Sequence, residues 1–405
     1  MRQGVSGGAA MKTRDLLLEV GTEEIPARML PDAAANLLDL VTTALKEVAL
    51  APEGGHAYYT PRRLAVVMKG IPVVQPDREE TAYGPPVTAA FDQDGTPTKA
   101  AMGFARSQGV GVADLLRLPG PKGAEVVAVR RLIGGRQALD LLSELLPRLL
   151  ARIQFPKSMR WGTGIGPFVR PVHWVCCLFG DQVVPFEFCG VASSHTTRGH
   201  RFLFPEPVVV PNPSAYVELL ASRGVVVVPE ERRRQVQDAI VAAEQAHGIR
   251  FVRPEAVLQE VCNLVEAPVF SVGHFDAAFL ELPREVLTSA MCAHQRYFPA
   301  ESHDGKLVNA FGVVSNTKAK DMSVVVRGNE RVLAARLYDA RFFFEQDLKT
   351  GLDAMLGRLH ERLFLRAAGD MRQKPLSVVR LAGVVAEAAC LDAETTAHAL
   401  RAAEL

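Results

Sequence analysis

The chain has 405 residues, 48% hydrophobic and 22% charged, with 46 Lys plus Arg against 45 Asp plus Glu. That length allows two or three domains with their own cores, and the balanced charge excludes a bulk polycation, although a local basic cluster can still meet nucleic acid. Cysteines at 176, 177, 189, 262, 292 and 390 form no C-x-x-C pair, which argues against a disulfide framework or zinc ribbon and suits a reducing cytosol.

No apolar run reaches the roughly 18 residues of a bilayer span, so no membrane partner is expected. The first ten residues, MRQGVSGGAA, lack the apolar core of a secretory signal. They read as a flexible extension over 1–14, with Met11 an alternative start and a cytoplasmic location expected. Residues 15–20 form a short apolar strand that stops at Gly21, and Pro26 opens a helix running to about Val48. LAVVMKGI (64–71) is another strand. From 81 to 124 turn signals dominate, among them Asp94-Gly95 and Pro119-Gly120. A helix near 138–153, which Pro147 should kink or split, closes an α+β region over 15–154.

Region 155–328 is richer in strands. VHWVCCLFG and QVVPFEFCG flank Gly180-Asp181 as a hairpin, and GVVVVP (224–229) reads as a continuous apolar strand. A helix follows from about Glu230 to Ala246, then a further hairpin between QRYFPA and LVNAFGVVS. After Gly328 the pattern is helical apart from short breaks, giving a helical junction and tail over 329–405. The order is too irregular for a doubly wound sheet, so an α+β body with mixed or antiparallel sheets is expected.

The chemistry-bearing stretches are sparse. GTGIGPFVR (162–170) has neither G-x-G-x-x-G nor P-loop spacing and reads as a mobile connecting loop. Its glycines and Arg170 are similar to the third signature of class II aminoacyl-tRNA synthetases, but that signature opens a helix, whereas Pro171 and a strand follow here. His303-Asp304 precedes Gly305 and reads as a turn. His195, His200, Cys292 and His294 complete no familiar metal set, and no G-x-S-x-G elbow occurs, so no catalytic or metal residue is assigned. Basic residues interleaved with aromatics offer charge for phosphates and flat faces for unpaired bases: Arg62 and Arg63; Lys157, Arg160 and Trp161; Arg198, His200 and Arg201; His294 and Arg296. ERRRQ (231–235) reads as the solvent face of a helix start.

VVRGNERVLAARLYDARFFFEQDLK (325–349) breaks helical patterning in both directions. With Leu333 at zero, Leu337, Ala340, Phe344 and Leu348 fall within about 60° of it as a buried stripe. Arg336 and Asp347 lie on the edge of that stripe, while Phe342 lies opposite it. Asn329 reads as an N-cap, and Arg341–Glu345 and Glu345–Lys349 as i,i+4 pairs. A buried Arg336 would need an acid, a carbonyl or a phosphate. Phe342 implies a second packing surface, so the helix is read as a domain junction, with Arg327 and Arg331 as secondary RNA contacts.

Seven stretches taken together, LLLEVGTEEIPARML, YYTPRRLAVVMKG, FPKSMRWG, FVRPVHWVCCLFG, TRGHRFL, LPREVLTSAMCAHQRYF and VVVRGNERVLAARLYDARFFFEQDLK, resemble the β-subunit family of bacterial glycyl-tRNA synthetases, in order, from 15 to about 350. Residues 351–405 match more loosely, in LDAMLGRL, around Gly369 and in RLAGVVAEA. The resemblance implies an α2β2 ligase that joins glycine to tRNA(Gly). ATP with Mg2+ would be used by the α subunit, and the β subunit would serve tRNA recognition and assembly without a cofactor of its own. It also implies a body similar to the B3/B4 region of the phenylalanyl-tRNA synthetase β subunit, followed by the start of an HD-like helical domain. Family chains continue past this length, so most of the HD-like core and an anticodon-binding domain are expected outside 1–405. Two rival readings are a hydrolase of the editing or HD type, centred on His195, His200, Cys292 and His294, and a pure scaffold for the α subunit.

Overall fold

The computed structural model describes residues 12–92, 94–121, 123–367 and 369–405. The expected N-terminal extension thus falls, for residues 1–11, outside the described residues, while Thr13 and Arg14 already belong to a strand. The chain divides into two units, one running up to Val236 and including Gln259–Pro268, the other comprising Gln237–Leu258 and Val269–Leu405.

In chain order the first unit begins with β1 (Thr13–Thr22), α1 (Leu30–Glu47), β2 (Gly54–Thr60) and β3 (Arg63–Pro72). Next come β4 (Arg78–Pro86), α2 (Val87–Ala90), α3 (Lys99–Gln108), β5 (Leu116–Pro119), β6 (Glu125–Ile133) and α4 (Ala138–Leu150). Then follow β7 (Met159–Trp161), β8 (Ile165–Phe168), β9 (Val172–Phe179), β10 (Gln182–Val183), β11 (Glu187–Phe188), β12 (Val191–Ser194), β13 (Thr196–Arg198), β14 (Pro207–Val209) and α5 (Tyr216–Ser222). The central sheet has the order β11-β12-β9-β1-β3-β2, with β10 pairing β9 beyond the tight turn at Gly180-Asp181. Its pairs are antiparallel except β12 with β9.

Side chains alternate across a strand, so the sheet presents two faces. Leu16, Leu18 and Val20 of β1, Leu64 and Val66 of β3 and Val175 and Cys177 of β9 enter one core with Leu37 and Val41 of α1 and Leu142 and Leu146 of α4. Leu17, Ala65, Val67, Cys176 and Leu178 point the other way, against Tyr216 and Leu220 of α5 and against Val225 and Val227. The sheet is therefore covered on both sides by helix and loop, each layer placed by an alternation already present in the sequence.

Several expectations need correction. Within 81–124 the turn signals conceal most of β4, all of β5 and helix α3; both strands pair antiparallel with β6, which follows. They escaped because α3 buries only Ala101 and Ala105, and β4 has no fully buried residue. GVVVVP is not a strand: the Val226 N–H donates to the Glu266 carbonyl, while the Val226 and Val227 carbonyls accept from the Arg232 side chain, so no ladder forms. GTGIGPFVR is a hairpin turn followed by β8, paired with β7, rather than a mobile loop. α4 contains Pro147 without splitting, ending one turn later.

The second unit continues with α6 (Pro229–His247), β15 (Arg250–Phe251), α7 (Glu255–Cys262) and β16 (Val269–His274); the unit boundaries fall inside α6 and α7. α8 (Arg284–Ser289) runs into a π-helical segment, Ala290–Gln295, before β17 (Phe298–Glu301) and β18 (Leu307–Ser315). The sheet order is β15-β17-β18-β16, all antiparallel. His303-Asp304 lies in the β17–β18 turn, as expected, with Gly305 at φ +80°. The long helix α9 (Met322–Thr350) sets Leu333 and Leu337 into a core with Phe279, Leu287, Met291, Tyr297 and Phe311. The tail holds α10 (Leu352–Gly357), a ribbon of β19 (Leu363–Leu365) and β20 (Gly369–Asp370), α11 (Gln373–Ala388) and α12 (Ala393–Glu404). Among the described residues no helix is long and apolar enough to cross a membrane.

In α9 the N-cap is Asp321, accepting from the Ser323 N–H, and not Asn329. Asn329 lies inside the helix, where its side chain donates to the Val325 carbonyl and accepts from the Tyr297 hydroxyl at 2.7 Å. Arg336 is exposed, not buried, and Leu348 is 69% exposed because the stripe leaves its core after Phe344. Arg341 turns to the Ala278 carbonyl and the Phe279 ring instead of Glu345. Phe342 is exposed beside Phe343, and Asp347 is exposed one turn before the helix end.

Candidate nucleic-acid interface

At one end of the central sheet the apolar face given by Leu17, Ala65, Val67 and Cys176 turns polar. Register places Gly21 of β1 opposite both Arg63 of β3 and Trp174 of β9, with Glu19 two residues earlier on the same face. Only glycine fits at position 21, since a Cβ there would run into the Trp174 indole. Three guanidinium groups surround that indole, with Cζ of Arg63, Arg62 and Arg198 at 5.5, 5.6 and 5.7 Å from its ring centroid.

Arg63 is wholly buried between two buried carboxylates. Its Nη1 lies 3.1 Å from Glu19 and its Nη2 3.2 Å from Glu266. Thr197 donates to Glu19 at 2.9 Å and Thr60 to Glu266 at 2.6 Å. Burial pushes the Glu19 carboxyl above its ordinary value, against the pull of Arg63, Thr197 and Trp174, whereas the two carboxylates hold Arg63 protonated. One cation facing two acids is an internal ion network, so the expectation that Arg63 meets RNA phosphates is corrected.

His200 is likewise buried, its Nδ1 accepting from the Phe202 and Leu203 N–H groups. Arg62 is 7% exposed. Arg201 is held by Glu23 and Glu24 at 3.6 and 3.3 Å, and His173 meets Glu23 at 3.0 Å. Arg198 is exposed. The structure thus brings Arg62, Arg63, Arg198, His200 and Arg201 into one region, largely neutralised by Glu19, Glu23, Glu24 and Glu266.

Lys157, Arg160 and Trp161 form a separate group on and before the β7–β8 hairpin. Trp161 packs against the main core, and the exposed Arg160 donates to the Gly164 and Gly166 carbonyls at 2.9 and 2.6 Å, tying the turn together. Lys157 is exposed. In the second unit, His294 is exposed on the π-helical segment, and Arg296 adopts φ +58° while donating to the Ala293 and His294 carbonyls. Arg327 and Arg331 are exposed on α9, Arg327 donating to Ser323 at 2.8 Å.

Two important residues were missed. Trp174 sits inside an apolar strand where nothing marks it as a hub. Arg232, read as solvent-facing, is fully buried and donates to the Tyr59, Val226, Val227 and Cys262 carbonyls. Its signal was present: Arg232, Val236 and Ile240 recur at i, i+4, i+8, and all three are buried. Of the four residues of the hydrolase reading, His195 and His200 belong to the first unit and Cys292 and His294 to the second. Burial also pushes the Cys292 thiol up, away from the reactive thiolate. Among the described residues no group of three or more His, Cys, Asp or Glu could hold a metal ion.

The family described as glycyl-tRNA synthetase beta subunit matches residues 16–405, including the tail that the quoted stretches match only loosely. A glycine–tRNA ligase beta subunit from Geobacter sulfurreducens is 45% identical over 89% of this chain and 52% of its own length. Those from Syntrophus aciditrophicus and Moorella thermoacetica are each 41% identical, over 93% and 97% of this chain and 54% and 56% of their own lengths. The chain spans about half the length of the curated relatives it matches.

Proposed function

The chain belongs to the glycyl-tRNA synthetase beta subunit family, and from that premise we propose that it is the tRNA-recognising and assembly part of an ATP-dependent glycine–tRNA ligase. The observation that carries this reading is the continuous family match along residues 16–405. The exposed Lys157, Arg160, Arg198, His294, Arg327 and Arg331 support it, being placed to meet a polyanion. In this reading an α subunit supplies the site for ATP, Mg2+ and glycine in an α2β2 assembly of the cytoplasm. Residues 155–328 then correspond to a B3/B4-like region and 329–405 to the start of an HD-like domain, with Arg336, Phe342 and Asp347 at the junction.

The test is reconstitution with a family α subunit and tRNA(Gly). Mass photometry should show a complex containing both subunits, and filter binding should show tRNA retained by that complex. A chain that joins neither α subunit nor tRNA would overturn the reading. A chain that joins α alone would leave the scaffold role in its place.

A further inference from the structure

Near Trp174, Arg63 and Arg201 are matched by carboxylates, but the cations of one cleft of the first unit are not. It has a volume of about 260 Å³ and is lined by Arg28, Lys157 and Arg170, with Ser158 and with Pro26 and Met29 as apolar wall. No acidic residue lines it. Neither the Arg28 nor the Lys157 side chain has a hydrogen bond or ion pair among the described residues, and both are exposed. Arg170 donates its Nε to the Glu24 carbonyl at 2.9 Å and Nη1 to the Val169 carbonyl at 3.3 Å, so its guanidinium is oriented by backbone and its charge is uncompensated. The nearby Glu24 carboxylate is engaged by Arg201.

Three converging cations without a counter-charge favour an anion, and a partly immobilised guanidinium loses little entropy on binding one. The volume is below the roughly 300–1,000 Å³ of pockets that enclose a drug-sized ligand, which suits a phosphate group rather than a whole nucleotide. The larger cleft of the second unit differs, because Glu285 and Asp339 oppose Arg336 there and no anion is selected.

We infer that the Arg28–Lys157–Arg170 cleft grips a backbone phosphate of the bound RNA, a contact that rests on the tRNA reading above and that fixes the register of the first unit on its substrate.

The experiment is fluorescence anisotropy of the 405-residue chain with a labelled acceptor minihelix of tRNA(Gly), titrated at several salt concentrations. Arg28→Ala/Lys157→Ala removes two cations that hold nothing in the fold. Arg130→Ala/Arg131→Ala, on exposed positions of β6, is the control for loss of surface charge. Circular dichroism melts check that both variants fold. The cleft variant should bind about tenfold more weakly at low salt, with a salt slope shallower by roughly one per cation removed, while the control changes little. Equal losses in both variants, or none in the cleft variant, would overturn the cleft while leaving the tRNA reading standing. Absence of any RNA binding by the unaltered chain would overturn the cleft contact, and the tRNA reading would then be decided by the reconstituted complex alone. Competition with inorganic pyrophosphate separates the sources: if the cleft variant loses pyrophosphate binding but keeps RNA affinity, the cleft is a small-anion site and the RNA contact is refuted.

Discussion

Arg63 shows how a single position can mislead when its sequence neighbourhood is basic. Beside Arg62 in TPRRLAV it looks like a phosphate contact, yet strand alternation sets it on the same face as Ala65 and Val67, hence inside. Truncating it should leave Glu19 and Glu266 buried without their cation, at a cost of about 3–5 kcal/mol by denaturant unfolding; a loss below about 1 kcal/mol, the range of an exposed pair, would show that the network is solvated. Glu19 gives a pH signature. Folding raises its pKa above 4.5, so above that pH the folded chain keeps a proton that the unfolded chain has released. The unfolded state binds fewer protons there, and this group's contribution to stability falls as pH rises through the window that opens at 4.5. Unfolding curves of wild type and Glu19→Gln, measured in steps upward from that pH, should converge in slope only once the window is passed. Parallel curves throughout would mean that folding leaves the Glu19 pKa unmoved.

At the scale of elements, α9 has two kinds of surface. Its middle turns are anchored by Leu333 and Leu337, both fully buried, whereas Leu348 on the same nominal stripe is largely exposed. Leu337→Ala should therefore lower the unfolding free energy by about 2–5 kcal/mol, and Leu348→Ala should change it by no more than about 0.5 kcal/mol. Similar losses at the two positions, read from urea midpoints, would mean that the whole stripe is packed. Arg232 makes the complementary point for α6. A helix start rich in arginine suggested a solvated face, but one of those arginines ties α6 to the carbonyls of GVVVVP and of β2. Arg232→Ala frees several buried carbonyls at once and should destabilise by more than the roughly 1–3 kcal/mol of a single unsatisfied group.

For the molecule as a whole, a net charge of +1 means that the RNA affinity proposed above would have to come from local arrangement rather than bulk attraction. Anisotropy titrations should then show a preference for the tRNA(Gly) minihelix over an unrelated duplex that persists at moderate salt. Indistinguishable affinities would reduce the surface to a general polyanion binder.

The α+β class, the main sheet's apolar strands, the β17–β18 hairpin and the long helix were legible from the chain alone, because period-2 and period-3.6 apolar patterns state which faces are buried. Family membership was legible too, through long collinear stretches that no single motif could match in specificity. What only the tertiary structure decided was the fate of the charges. Whether an arginine reaches solvent depends on residues far away in sequence: Glu19 and Glu266 draw in Arg63, and the carbonyls of residues 59, 226, 227 and 262 draw in Arg232. Arg28, Lys157 and Arg170 converge through folding alone, since no spacing between positions 28, 157 and 170 could announce a shared cleft. Apolar burial is written locally as a repeating pattern, whereas the pairing of charges is settled by which distant strands and loops the fold brings within a few ångströms.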